Sequence, residues 1–115
     1  MGADYKLKRL DKIVALNEAI RYFDEKEDKE MSAHALKRYL LNIQIAWYRV
    51  HKYLPREKEV LYQLKKEWKK KVQERKQDWK RCCGFTDRVT IGAFAINPIL
   101  YSLIAEVYLK LIPQD

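Results

Sequence analysis

Hydrophobic residues recur every three or four positions along most of this chain, the spacing that places them on one face of an α-helix. We predict helix one from about Asp4, a suitable N-cap, to about Phe23. A charged run over 24–30 follows, and helix two is predicted from an N-cap at Ser32 to about Leu54. The seam of helix two alternates steps of four and three: Leu36, Leu40, Ile43, Trp47, Val50 and Leu54.

Helix two also has a second apolar side. At about 100° per residue, Leu41, Ile45 and Tyr48 fall opposite this seam. A helix that is apolar on two sides is either central in a bundle or shared with another chain. Because 115 residues do not easily cover both sides of every helix, we expect a homo-oligomer.

Helix three is predicted to begin at Pro55, whose missing N–H costs nothing at the first helical position, and to run to about Arg81. The following Cys82-Cys83-Gly84 ends it, and the glycine suits a left-handed C-terminal cap. These breaks divide the first three quarters of the chain into three helices.

The last segment is the most apolar. Asn97 and Pro98 form an N-cap and first helical residue, which predicts a helix to about Ile112. Residues 88–96 fit either a short helix or an extended stretch with alternating side chains, and the helical context favours a helix.

These segments predict an all-α single domain over residues 1–115. We expect a four- or five-helix bundle with helix two central and one long basic helix. The hydrophobic fraction of 48% excludes a wholly disordered tail, and only 3 Gly and 3 Pro argue against an all-β fold, which needs many turns.

A membrane span is the alternative for the last segment, and it would make the neighbouring cysteines candidates for palmitoylation. Against it, Ser102, Glu106 and Lys110 form one polar strip at i,i+4 spacing, and residues 98–112 are too short to cross a bilayer. We therefore expect no membrane span.

The two cysteines indicate a reducing compartment. Cys82 and Cys83 are adjacent, so a disulfide between them would be strained, and no zinc-ligand spacing is present. The opening residues, Met1-Gly2-Ala3-Asp4, lack the apolar stretch of a signal peptide. These features predict a cytoplasmic protein without metal or cofactor.

The formal net charge of +8 is unevenly distributed. Residues 31–56 carry five basic and no acidic side chains, and residues 57–81 carry ten basic and five acidic ones. The segments 1–30 and 82–115 each have a net charge of −1. All of the positive excess therefore lies on helices two and three.

Helix three separates its charges by side. Measured from Trp68 at about 100° per residue, six lysines share one flank, and Glu67, Glu74 and Asp78 share the other. The six are Lys65, Lys66, Lys69, Lys70, Lys76 and Lys80. Crowded lysines repel one another, and a polyphosphate backbone would relieve that repulsion.

The sequence therefore predicts a non-enzymatic protein that binds the phosphate backbone of nucleic acid without sequence preference, as a packaging, coat or small accessory subunit. Arg38 and Arg49 of helix two would add a second patch. Two alternatives stay open: the lysine flank is only a solvated surface, or the chain is a helical interaction module that binds an acidic protein. In its small, helical and basic character the chain resembles coat proteins of filamentous archaeal viruses and small helical subunits of nucleic-acid effector complexes.

The aromatic and nucleophilic side chains are the remaining candidates for stacking or catalysis. Trp47, Trp68 and Trp79 lie on core-facing stripes, so packing is expected of them, whereas Tyr48 and Tyr62 are better candidates for base stacking. His34 and His51 fall near opposite ends of one helix, Ser32 and Ser102 have no evident His/Asp partner, and Cys83 reads as a buried, inert thiol. We expect no catalytic assembly.

Overall fold

The computed structural model describes residues 10–111, with side chains up to Val107. This part of the chain contains six α-helices and no strand, which confirms the all-α prediction with more helices than expected. The helices are α1 (Asp11–Glu25), α2 (Lys29–Tyr53), α3 (Lys58–Glu74), α4 (Lys76–Cys82), α5 (Phe85–Ile96) and α6 (Pro98–Leu111). The predicted helix ends at Asp4 and Ile112 lie outside the described residues.

Helix α2 lies at the centre and contacts each of the other five helices. Its seam residues Leu36, Leu40 and Ile43 are fully buried. On its opposite side Tyr48 is buried against α6, where its hydroxyl donates to Glu106. Of the second apolar side of α2, Tyr48 is therefore covered within the chain, whereas Leu41 and Ile45 are half-buried.

A cluster of aromatic rings joins four helices around Phe94 of α5, which is fully buried. The Phe94 ring meets Trp68 of α3 at 4.7 Å, Tyr101 of α6 at 5.4 Å and Trp47 of α2 at 5.8 Å between centroids, each edge to face. The Trp68 indole N–H donates to the buried Gln44 side chain at 2.9 Å. The tryptophans therefore pack in the core, as predicted, and the contacts of Trp68 fix the rotation of α3 about its own axis.

The turn between α1 and α2 is formed by charged residues. Glu27 has φ 57°, in the left-handed region, and the Asp28 N–H bonds to the Phe23 carbonyl at 3.0 Å, closing a Schellman motif. Asp28 is the N-cap of α2, since its carboxylate accepts from the Met31 N–H at 3.1 Å. The prediction of Ser32 as N-cap is wrong, because Ser32 lies inside α2 and is buried.

The single helix predicted from Pro55 to about Arg81 is divided into two helices, α3 and α4. Arg75 has φ −121° and ψ 34°, and it separates α3 from α4. No glycine or proline marks this position; the Arg75 guanidinium binds Asp24 of α1 twice, at 2.9 and 3.1 Å, and the Arg75 Nε donates to Asp78 at 2.8 Å. A tertiary ion-pair network therefore accompanies the break, and the sequence pattern carries no sign of it.

Two further boundaries differ from expectation. Pro55 lies in a turn closed by the Glu57 N–H and the Leu54 carbonyl at 3.0 Å, and α3 begins only at Lys58. Gly84 is extended, with φ −78° and ψ −176°, and precedes α5 as its N-cap, so the left-handed cap predicted there is wrong. The chain leaves α4 in extended conformation at Cys83, where no left-handed residue is needed.

The last two helices follow the pattern closely. Residues 88–96 are helical within α5. The Asn97 side chain accepts from the Ile99 N–H at 2.9 Å, and Pro98 is the first residue of α6, as predicted. A single residue therefore connects α5 to α6.

Candidate nucleic-acid interface

Two buried side chains orient α3 on the bundle. Leu64 and Trp68 are the buried residues of this helix, and they lie one turn apart on its inner side. Because rotation is fixed by these anchors, positions 60° to 200° around the helix from Trp68 point away from α2. This side carries the lysines, and we call it the lysine face.

The lysine face consists of Lys65, Lys66, Lys69 and Lys70 on α3, with Lys76 and Lys80 on α4. All six side chains are exposed. None of them forms an ion pair with a carboxylate in the described part of the chain. The positive charge on this surface is therefore left to solvent.

Most carboxylates near the lysine face contact groups other than its lysines. Asp24 and Asp78 bind Arg75, and Asp78 also reaches Arg81 at 3.6 Å. Glu67 lines an apolar groove between α1 and α3, of about 280 Å³, next to Tyr39. Burial, helped by the negative charge of Glu67, raises the pKa of Tyr39 to about 12. Glu67 and Glu74 thus lie on the other flank and Asp78 is paired, whereas Glu59, at about 180° from Trp68, is exposed within the lysine face near the start of α3 and accepts from Gln63.

The break at Arg75 divides the lysine face into two sections. The 100° rule holds within α3, where four lysines occupy adjacent turns. It does not carry across Arg75, so Lys76 and Lys80 belong to a separate short helix that packs against α2. The prediction that all six lysines share one flank of a single helix is therefore wrong at this point.

Two residues extend the α3 section. Lys58, at the start of the helix, is exposed and falls about 80° from Trp68, a position that the same rule would have found. Tyr62 is 60% exposed at about 120°, among the lysines, with the Lys66 ammonium 6.0 Å from its ring centroid. Of the two tyrosines considered for stacking, only Tyr62 is accessible, since Tyr48 is buried against Glu106.

The two arginines of α2 lie away from this surface. Arg38 is exposed and Arg49 is half-buried. They fall about 120° to 140° around α2 from Gln44, the residue that binds Trp68. The second patch is therefore on another side of the bundle and does not enlarge the lysine face.

Other basic residues of α2 are paired with the C-terminal helices. Lys37 lies 3.3 Å from Asp87 of α5, and Lys52 lies 2.9 Å from Glu106 of α6. The hydrogen bonds that Lys52 donates to Glu106 and Tyr48 raise its pKa, so it stays charged. These pairs fasten α5 and α6 to α2.

Two adjoining surface grooves, of about 560 and 490 Å³, share Lys29 and Arg81 in their walls. The larger contains the network of Arg75 with Asp24, in which the charges neutralise each other. Burial acts to raise the pKa of Asp24, but hydrogen bonds from Arg75 and Ser32 and nearby positive charge outweigh it and hold the pKa below its usual value. The ion pair between Arg75 and Asp24 stabilises the fold, so no ligand is needed to account for it.

The cysteines and histidines give no separate site. Cys82 and Cys83 are free thiols, and burial raises the pKa of Cys83, in agreement with an inert thiol. The His51 ring stacks on Trp47 at 4.9 Å. Over residues 10–107, no three His, Cys, Asp or Glu side chains lie close enough to hold a metal ion. No helix in the described residues has the length and apolar character to cross a membrane.

Comparison with known proteins gives no relative: no family model, no curated protein and no solved structure matches this chain. The geometry of the lysine face is therefore the guide to function.

Proposed function

We propose that this protein is a non-enzymatic binder of nucleic acid that contacts the phosphate backbone of DNA or RNA through the lysine face, without sequence preference, as a packaging, coat or small accessory subunit. The observation that supports this most strongly is the exposure of all six lysines without a carboxylate partner among the described residues. A second observation supports the proposal: Asp24 and Asp78 already form ion pairs with arginines.

The crowding of lysines gives the physical reason. Lys65 and Lys69 are four residues apart on α3, as are Lys66 and Lys70, and like charges at this spacing destabilise a helix by a few tenths of a kcal/mol per pair. Phosphates would remove this repulsion and would release condensed counterions to solution. Each lysine ammonium is a point charge that binds a phosphate in any sequence, so backbone contact is the mode that these residues favour.

Tyr62 adds a preference for single strands. An exposed aromatic ring among lysines is the combination that single-strand-binding proteins use, with cations along the backbone and a base on the ring. A base in a duplex is already stacked and cannot use this ring. We therefore propose that single strands bind more tightly than duplexes of the same length.

A salt series on two charge-matched variants tests the proposal. The first replaces Lys65, Lys66, Lys69 and Lys70 with Gln. The second replaces four exposed basic residues of α1 and the start of α2 with Gln: Lys12, Arg21, Lys26 and Lys29. Both lower the net charge from +8 to +4, since each removes four positive charges. Gln and Lys have similar helix propensities, so the folds are retained.

For random-sequence duplex, the first variant is expected to flatten the slope of log affinity against log salt by roughly 3 to 4 units, since each phosphate contact contributes about 0.9. The second variant is expected to retain most of the slope. Equal slopes in the two variants would show that net charge, and not the lysine face, determines binding. If the wild-type chain bound an acidic protein but not nucleic acid, the alternative of an interaction module would replace this proposal.

A further inference from the structure

The outer surface of α5 and α6 is apolar and uncovered in the described part of the chain. Seven of the twelve large hydrophobic side chains that are exposed there lie between residues 85 and 107. They are Phe85, Val89, Ile96, Ile99, Leu100, Leu103 and Val107, which we call the apolar hairpin face. Phe85 is 84% exposed and Ile96 is 80% exposed. Isolated exposed hydrophobic residues are normal, but a cluster of this kind marks an interaction surface.

These residues form lines along each helix. On α5, Phe85, Val89, Gly92 and Ile96 succeed one another at steps of four, three and four. On α6, Leu100, Leu103 and Val107 follow at steps of three and four. This alternation is the spacing of a seam between two packed helices. Because only Asn97 separates the helices, the α5 line ends at Ile96, four residues before Leu100, where the α6 line begins.

Gly92 interrupts the α5 line, and no contact among the described residues requires a glycine at this position. Glycine inside a helix costs about 0.5–1 kcal/mol relative to alanine. A Cβ atom added at Gly92 would meet nothing within 4 Å, and Gly92 does not have a positive φ. Neither packing within the described residues nor backbone conformation therefore accounts for it. A second helix that approaches the α5 backbone closely would require a residue without a side chain here.

The apolar hairpin face is surrounded by few charged residues, and each of these already has a partner within the chain. Residues 85–107 contain only Asp87, Arg88 and Glu106 as charged residues. The two acids pair with lysines of α2, and Arg88 donates to the Lys80 carbonyl. Two copies of a chain with net charge +8 repel each other unless they meet where charge is absent. This surface meets that condition, and the lysine face does not.

The exposed area is sufficient for a stable contact. Weighted by their exposed fractions, the seven side chains present on the order of 700 Å², close to the roughly 800 Å² that each partner buries in a standard interface. A lipid surface fits less well, because helices that lie on membranes carry lysines and arginines beside their apolar side, and α5 and α6 have only Arg88 over 85–107.

We propose that a second copy of this chain packs against the apolar hairpin face, in a twofold contact in which α5 and α6 of one protomer meet the same helices of its partner. A twofold contact pairs a surface with itself, so one self-complementary face is enough. The hydrophobic effect stabilises the pair, and Gly92 allows the helices to approach closely. This inference is independent of nucleic-acid binding, because it concerns other residues and another chemistry.

Sedimentation equilibrium of the full chain tests it with a matched pair of variants. Val107 on α6 and Val14 on α1 are 59% and 58% exposed, so Val107→Asp and Val14→Asp introduce the same charge at equally exposed helical sites. The wild-type chain is expected to sediment at twice its 13.9 kDa mass. Val107→Asp should weaken self-association at least tenfold, and Val14→Asp should leave it unchanged. Circular dichroism confirms that both variants are folded.

Gly92→Ala gives a second, opposite-signed measurement. In a monomer the added methyl group meets open space, so the variant should be as stable as the wild type or slightly more stable. In the proposed dimer it should raise the dissociation constant several-fold. A wild-type chain that stays monomeric, equal effects of the two aspartates, or a Gly92→Ala chain that dimerises as tightly as the wild type would each overturn the proposal. Binding of the monomer to neutral or anionic vesicles in place of dimerisation would overturn it too.

Discussion

The lysine face and the apolar hairpin face are both left without partners by the described chain, but for opposite reasons. On α3 only Leu64 and Trp68 are buried, and the outer side is almost entirely charged. On α5 the buried residues are Ile91, Ala93 and Phe94, and the outer side carries almost no charge. The two helices meet at one ring pair, Trp68 and Phe94, at 4.7 Å.

This contrast shows that packing within the chain does not determine which residue types lie on the outer side of each helix. A few large inward side chains fix the place of a helix, and the outer positions then have little influence on stability. A consistent outer composition, mainly cationic on one helix and apolar on another, therefore points to partners outside the chain. We propose phosphates for the first surface and a second protomer for the second.

The largest effect is expected where the two regions join. Phe94→Ala removes a fully buried ring that contacts α2, α3 and α6, so the free energy of unfolding should fall by about 3–5 kcal/mol. Phe85→Ala, on the same helix but 84% exposed, should change it by less than about 0.5 kcal/mol. Urea denaturation at low protein concentration measures both, and equal losses would contradict the assignment of inner and outer sides.

Next in size is the contribution of Tyr62, which tests whether the lysine face does more than attract charge. Tyr62→Ala should weaken binding of single-stranded DNA by about 1–3 kcal/mol and leave duplex binding nearly unchanged. Tyr22→Ala is the control, because Tyr22 is 55% exposed on α1 with the Lys26 ammonium 5.7 Å from its ring. Fluorescence anisotropy with labelled oligonucleotides separates the two. The same loss for duplex and single strand would argue against stacking.

The division of the lysine face at Arg75 has a smaller expected effect. Arg75→Gln removes the hydrogen bonds to Asp24, Asp78 and Ser32, which should lower the free energy of unfolding by about 1–2 kcal/mol, since the pairs are partly exposed. Arg81→Gln removes only a longer, exposed contact to Asp78 and should cost under about 0.5 kcal/mol. Thermal unfolding of both variants measures the difference, and a harmless Arg75→Gln would show that the network does not hold α3 and α4 in place.

The smallest effect is the pH dependence of the same network. The folded pKa of Asp24 lies below its unfolded value, so its contribution is present above about pH 4 and is lost as the pH falls through the folded pKa. Because Asp24 is partly exposed, we expect less than about 1 kcal/mol. Comparison of unfolding free energies at pH 6 and pH 3 in the wild type and in Arg75→Gln isolates this amount. A difference of equal size in both chains would assign it to other carboxylates.

The sequence predicts those features of the fold that depend on neighbouring residues. The seam of α2, the Asn97-Pro98 start of α6 and the inward tryptophans follow from periodicity and capping chemistry. The break at Arg75 could not be foreseen, because Asp24, which binds the guanidinium, is 51 residues away. The left-handed cap at Glu27 was missed because glycine and asparagine are the usual residues there.

The candidate site likewise has some features that the sequence predicts and others that depend on tertiary contacts. The α3 lysines, with Lys58 and Tyr62, share a side that the helical repeat alone identifies. Their separation from Lys76 and Lys80 depends on a tertiary contact, as does the burial of Tyr48, whose partner Glu106 lies 58 residues away. The apolar hairpin face could not be separated from a core by sequence, because periodicity does not tell which apolar side is covered.

The most direct test of the lysine face is the salt dependence of nucleic-acid binding in the two charge-matched Gln variants, measured side by side on one random-sequence duplex. We predict that loss of Lys65, Lys66, Lys69 and Lys70 removes roughly 3 to 4 units from the log–log slope, while the α1 and α2 substitutions leave it nearly intact. Identical slopes in both variants, or a wild-type affinity that does not change with salt, would contradict the assignment of the lysine face as the phosphate-binding surface.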